Sequence, residues 1–230
     1  MPAPLSVQLS SREAVSRDLF KVGFSVPAEL GDTFVTPGQY IEVVIGEAKG
    51  FFALASVPGS ERWEIILRGG GGASDDLITR KLGIDVSLSK ALGPGFPYDD
   101  LRGKSLVVAV TELGIGAARS VVNQRIIDGD AQRTEFLLGT RDASTVPIVN
   151  EIDQWGKAGA STLVCVTDST TKGYYHGYIQ DALRALSPPG GRPRSTDGAI
   201  FAVGRPELID GLRAVAPDVG LSAERVYTNY

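Results

Sequence analysis

The sequence predicts two domains in tandem: an antiparallel β-barrel over residues 1–100, then an α/β domain with a parallel sheet over residues 104–230. Three observations carry this. The N-terminal part breaks into short apolar runs separated by glycine and proline turns, the pattern of a small all-β unit. After Gly93-Pro94-Gly95-Phe96-Pro97 the rhythm changes to alternating strand and helix, which calls for a parallel sheet covered on both faces. The run Leu106-Val107-Val108-Ala109-Val110 is continuously apolar and rich in β-branched residues, as a strand buried on both faces must be.

In the first domain, strands are expected at 6–9, 19–26, 40–45, 51–57, 63–67 and 86–92. Turns at Leu30-Gly31-Asp32, Pro37-Gly38, Val57-Pro58-Gly59 and Leu82-Gly83 separate them. One short helix is expected at 74–81, with Ser74 as N-cap and Asp75 and Asp76 in its first turn. The glycine run from Gly69 to Gly72 before it lets the backbone approach a ligand closely, with the helix N-terminus ready for a phosphate. A flexible hairpin loop ending in a capped helix explains the same residues. Aromatic residues at Tyr40, Phe51 and Phe52 fit either a barrel core or a flat ligand lying on the strand.

In the second domain the buried strand runs into a turn at Thr111-Glu112-Leu113-Gly114 and a helix over 115–127, with Ala118, Val121 and Val122 on one side. Strand, glycine turn and helix aim backbone N–H groups at a bound phosphate, although Gly114 and Gly116 alone are also what an ordinary turn uses. Strands follow at 135–139, 162–167, 199–203 and 225–227, and helices at 146–155, 177–186 and 206–216. The stretch 187–198 reads as a surface loop whose Arg192 and Arg194 are either solvated or meet a ribose phosphate. Cys165 is expected as a buried thiol, His176 as a loop residue, and Trp63 and Trp155 in the core.

The bulk composition narrows the function. With 230 residues, 43% hydrophobic and 22% charged, the chain can build real cores. A net charge of −4, from 23 basic and 27 acidic residues, gives a nucleic-acid partner no electrostatic footing. One cysteine and one histidine exclude a Cys/His metal cluster and an internal disulfide. No apolar run is long enough to span a membrane, and the N-terminus lacks a signal peptide's apolar centre, so the cytoplasm is the expected compartment.

Several short motifs together resemble the ferredoxin–NADP reductase superfamily, most closely its small members similar to the fruit protein pKIWI502. Pro37-Gly38-Gln39-Tyr40 is similar to the family's Pro-Gly-Gln-aromatic strand. Phe52, Ala53, Leu54 and Ser56 stand where its flavin-binding Arg-x-Tyr-Ser stretch is found. Gly71, Gly72, Ala73 and Ser74 resemble the loop that holds the flavin diphosphate, and Gly93-Pro94-Gly95-Phe96 the segment that closes the barrel. Thr111 to Ser120 resembles the nicotinamide loop, Gly139-Thr140-Arg141 the Gly-x-Arg after the second strand, and Val203 to Leu208 the late Cys-Gly-Pro motif. The resemblance implies a flavin-binding barrel and a nucleotide-binding α/β domain, with FAD and NAD(P)H as cofactors. In that reading Thr111, Gly114 and Ile115 hold the dinucleotide diphosphate, Arg141 lies near the adenosine ribose, Gly204 belongs to the late motif, and Tyr230 covers the flavin ring.

The departures from the family pattern bear on activity. Gly50 stands where an arginine would bind the flavin phosphate, with Lys49 as a partial substitute, and Phe52 and Ala53 replace tyrosine and serine. Glu112, Gly116 and Ala117 alter the nicotinamide loop, and Val203 and Arg205 the late motif. A carboxylate at Glu112 close to a diphosphate would cost about 1–4 kcal/mol. Two functions are therefore expected as alternatives. One is a flavin-dependent oxidoreductase passing electrons from NAD(P)H through FAD to an acceptor or a redox protein partner. The other is a non-catalytic relative that senses flavin or nucleotide, or docks on a partner. An electron-transfer subunit of a larger complex is a third idea, its iron–sulfur cluster belonging to the partner. No catalytic residue and no metal ligand stands out.

Overall fold

The computed structural model describes residues 4–168, 172–185 and 194–229. The chain opens with β1 (Leu5–Ala14), β2 (Leu19–Ser25), a one-turn α1 (Ala28–Gly31), β3 (Tyr40–Ile45), β4 (Ala48–Ala53), β5 (Arg62–Arg68), α2 (Ala73–Thr79) and β6 (Asp85–Leu88). The six strands form one antiparallel sheet in the order β4-β3-β6-β1-β2-β5. β3 shows why it folds: Ile41, Val43 and Ile45 alternate inward while the residues between them are half-exposed. The sheet curls until its edges touch at a single bridge, Leu54 to Ile65, so it is barrel-like without closing. Its core centres on Trp63, fully buried, with the Phe34 ring edge-on at 6.2 Å.

Two boundaries differ from the sequence expectation. The strand expected at 51–57 is β4, which starts at Ala48 because Gly46 and Glu47 make a two-residue hairpin turn pairing Ile45 with Ala48. The short helix begins at Ala73, and its N-cap is Gly72 at φ 61°, not Ser74. Ala73 faces the barrel core, which moves Ser74 into the first turn.

The second half comprises β7 (Leu106–Thr111), α3 (Ile115–Ile127), β8 (Thr134–Thr140), α4 (Val149–Lys157), β9 (Ser161–Val166), β10 (Tyr175–His176), α5 (Ile179–Ala185), β11 (Ala199–Val203), α6 (Pro206–Val215) and β12 (Val226–Tyr227). The strands form a parallel sheet in the order β10-β9-β8-β7-β11-β12. From β7 the chain winds outward to β10, then returns to the other side of β7 for β11. That reversal opens a crevice at the C-terminal ends of β7 and β11. Helices α3 and α4 share a core with one face of the sheet, and α5 and α6 with the other.

Here too some expectations need correcting. Helix α4 starts at Val149 rather than 146, because Ile148 adopts φ 45° and its N–H donates to the Val15 carbonyl of the barrel at 3.0 Å. His176 lies on the edge strand β10, not in a loop, and is exposed. Arg194 is nearly buried and forms a two-pronged ion pair with Glu135 at 2.8 and 2.7 Å, so it is neither solvated nor free for a phosphate. Arg192 lies outside the described residues.

Helix α3 is not amphipathic in the expected sense. Ile115, Gly116, Ala117, Ala118, Ser120, Val121 and Val122 are all buried, because the helix is covered by its own sheet on one side and by the barrel on the other. One apolar cluster runs through this contact, joining Leu19, Ala55 and Ile66 of the barrel to Val108, Phe136 and Phe201 of the parallel sheet. Within it Phe96, on the connecting segment, stacks on Phe201 at 4.2 Å. Arg119, only 13% exposed, completes the contact: Nη1 donates to the Ala55 carbonyl and to Glu64 at 2.8 Å each, and Nε donates to Glu151 of α4 at 2.6 Å.

Replacing Arg119 with alanine leaves Glu64 and Glu151 half-buried without their shared cation. We expect Arg119→Ala to lower unfolding stability by on the order of 3 kcal/mol. Urea denaturation checks this, and a change below about 0.5 kcal/mol would show that the arginine does not hold the two sheets together.

Candidate functional site

Two cavities meet at the crevice. The first, of about 520 Å³, lies between the halves, with Phe52, Ile66 and Arg68 on the barrel side and Leu113, Val203 and Gly204 on the sheet side. The second, of about 510 Å³, runs along the C-terminal ends of β7, β8 and β9, past Gly139, Arg141, Cys165 and Tyr178. Thr111, Glu112 and Arg205 line both. Each volume is in the range of small-molecule sites.

The floor at the junction is built by close backbone approach. A Cβ at Gly114 would lie 2.6 Å from the Val203 carbonyl oxygen, so the turn after β7 can sit against the end of β11 only as glycine. At Gly204 a Cβ would lie 2.5 Å from Thr111 Oγ1. These contacts hold the start of α3 against the first cavity.

Glu112 is the exceptional residue. Its backbone is left-handed at φ 47°, a conformation that costs a non-glycine residue about 1–2 kcal/mol. Its carboxylate spans the cleft, with Oε2 3.3 Å from Arg68 Nη1 of the barrel and Oε1 3.7 Å from Arg205 Nη2 after β11. The carboxylate expected to oppose a nearby diphosphate is matched by two guanidiniums. The alterations at Glu112 and Arg205 are partners in one contact.

No family model matches the chain. A curated relative, fruit protein pKIWI502 of Actinidia deliciosa, is 25% identical over 98% of this chain and 75% of its own length. Among solved structures, the flavohem-like FAD/NAD binding domain of nitric oxide dioxygenase from Vibrio cholerae aligns with a TM-score of 0.81 at 16% identity, covering 98% of both chains. A ferredoxin NADP+ reductase from Neisseria gonorrhoeae, with bound FAD and NADP, aligns at 0.76 and 16% identity, again over 98% of both. The fold is that of the ferredoxin–NADP reductases.

In this reductase fold the residues singled out from sequence separate into groups. Phe52, Ala53, Ser74, Thr111, Gly114 and Gly204 line the first cavity, and Arg141 lines the second. Leu54 points into the barrel core, Ala73 at the start of α2 is buried in that core, and Ile115 at the start of α3 is buried in the core the two halves share. Ser56 is also buried, its hydroxyl accepting the Glu64 N–H at 3.2 Å. Gly71 and Gly72 are exposed, with open space around them, and do not line the cavity. Tyr230 lies outside the described residues. Sequence reasoning missed Ile66, Leu113 and above all Arg68; the one available signal was that Arg68 ends a strand directly before the glycine run.

Cys165, on the wall of the second cavity, is 1% exposed, and burial, aided by Asp181, pushes its thiol up to about 12. The folded protein thus keeps this proton while an unfolded thiol loses it near pH ~8.5. Stability from this group is complete below that pH and declines as pH rises toward 12. We expect iodoacetamide to leave Cys165 unmodified in native protein at pH 8.5 and to alkylate it in urea. Equal rates in both states would show that the thiol is accessible.

Proposed function

We propose that the protein is a flavin-dependent oxidoreductase that takes electrons from NAD(P)H and passes them through FAD to an acceptor. The observation that carries this reading is the pair of cavities sharing Thr111, Glu112 and Arg205. Two flat heterocycles bound one in each would meet at the shared wall. The donors present suit a flavin: the first cavity has apolar walls at Phe52, Ile66 and Leu113, a hydroxyl at Ser74 and a cation at Arg68. When bound, a flavin supplies the conversion between two-electron and one-electron transfer, and the protein supplies position.

In this reading Phe52 presents a ring face to the flavin, and Thr111 and Gly114 bring backbone and hydroxyl to the junction. Arg141, exposed at the end of β8, reaches toward the far end of a dinucleotide in the second cavity. The apolar walls at Phe52 and Ile66 shield the flavin side of the junction, whose shared wall is polar. An acceptor, small molecule or redox protein, reaches the first cavity beside Phe51 and Leu113, which stand 60% and 45% exposed at its edge. No helix among the described residues is long and apolar enough to cross a membrane. We assign the protein to the cytoplasm, where a lone thiol such as Cys165 stays reduced.

Glu112 favours a second reading, a flavin- or nucleotide-sensing module, because its carboxylate bridges the junction through which hydride would pass. The visible spectrum separates the two. The oxidoreductase reading expects bands near ~370 and ~450 nm that bleach anaerobically with NADH or NADPH. A bound flavin that neither nucleotide bleaches would favour the sensing module, and a protein that takes up neither added FAD nor NAD(P)H would reject both.

Replacing Glu112 with glycine removes the carboxylate, frees both guanidiniums and suits the left-handed backbone. We expect Glu112→Gly to tighten NAD(P)H binding about 10-fold, read by titration calorimetry. Weaker binding would mean that the carboxylate holds the nucleotide instead of opposing it.

A further inference from the structure

We propose that Arg68 is the residue that binds the flavin's phosphate; the inference rests on the flavin reading of the first cavity. Its position is the first argument. Arg68 is the last residue of β5, lies directly before the glycine run, and lines the cavity together with Phe52 and Ser74.

The second argument is that the glycine loop cannot neutralise a phosphate by itself. Helix α2 is only seven residues long and carries Asp75 and Asp76 in its first turn. Asp75 Oδ1 already accepts the Gly70 N–H at 3.0 Å, so part of the loop's donor capacity is spent internally. Asp76 is already paired with Arg80 at 3.0 Å, which occupies that cation, and Asp75 beside the loop repels an anion unless a further positive charge stands nearby.

The neighbouring strand does not supply that charge. A Cβ at Gly50 would lie 2.9 Å from the Phe52 ring, so the ring occupies the space a longer side chain would cross. Lys49 does not line the cavity and sits 3.6 Å from Glu42. Of the two cations on the cavity wall, Arg205 belongs to the opposite side and is 79% exposed. Arg68 remains.

Its present partners are two carboxylates, Asp18 and Glu112, which a phosphate would displace. The Nε nitrogen lies 2.7 Å from Asp18 Oδ2, yet this buried N–H has no acceptor in hydrogen-bond geometry. The bond from Nη1 to Glu112, at 3.3 Å, is long for a charge-assisted contact. A phosphate offers the guanidinium two aligned oxygens in place of these, the bidentate pairing that arginine favours.

The test titrates FAD, FMN and riboflavin into flavin-free protein, followed by flavin fluorescence, for wild type, Arg68→Gln and Arg68→Lys. Riboflavin has the ring system without the phosphate. We expect Arg68→Gln to weaken FAD and FMN about 10- to 100-fold while changing riboflavin less than about 3-fold, with Arg68→Lys recovering part of the loss. Circular dichroism melts confirm that the variants fold. Unchanged FAD affinity in a wild type that binds FAD overturns the role of Arg68 alone. An equal loss for riboflavin also overturns it, since the arginine would then act only by holding the cavity wall. A wild type that binds none of the three overturns the flavin reading and this inference together.

Discussion

Everything at the junction depends on how α3 is wedged between two sheets. A helix covered on both sides needs small apolar residues along most of its surface, and Gly116, Ala117 and Ala118 supply them. The contact also needs a way to bury the long charged side chains that cross it, Arg119 and Lys21. Arg119 meets its own need with a backbone carbonyl and a carboxylate of the barrel and a carboxylate of α4. Because these groups lie on the barrel, on α3 and on α4, the guanidinium fixes a distance and an angle as well as a contact. The apolar cluster gives cohesion, and the ion pairs give register.

The same wedge explains why an unfavourable backbone at Glu112 persists. The turn after β7 has no freedom to relax, since Gly114 rests on the Val203 carbonyl and Thr111 on Gly204. With the neighbours fixed, the residue at 112 must be left-handed, whatever its side chain. Glutamate there is a local cost offset by two arginines, one from each half of the molecule. Strain held this way at the meeting point of two cavities is typical of functional sites.

Much of the fold was legible in the sequence because periodicity reports burial directly. The all-apolar run at 106–110 could only be a central strand, and the change of rhythm after Phe96 separated the two sheets. What failed was local. The Gly46-Glu47 turn carries no proline or asparagine, so the start of β4 was hidden. Ile148 enters the left-handed region for a tertiary reason, its bond to Val15, which no local pattern encodes. Motifs that concern backbone shape led to the wall of the first cavity, as at Thr111, Gly114 and Gly204. The site was not legible where it depends on side chains converging from distant strands, as Arg68 and Arg205 do on Glu112. Ser56 and Leu54 lie close to the cavity in sequence but are buried, Ser56 against the Glu64 N–H and Leu54 in the barrel core.

The segment joining the two sheets is bound in its own way. Arg125, fully buried on α3, donates to the Leu101 carbonyl at 2.7 Å and the Lys104 carbonyl at 2.6 Å, and pairs with Asp130. Tyr98 on the same segment donates its hydroxyl to Asp128. What looks along the chain like a hinge is therefore stitched into the second sheet's helix layer. A cut made there would not release two self-sufficient modules. It would strand a buried guanidinium and open an apolar face on each piece.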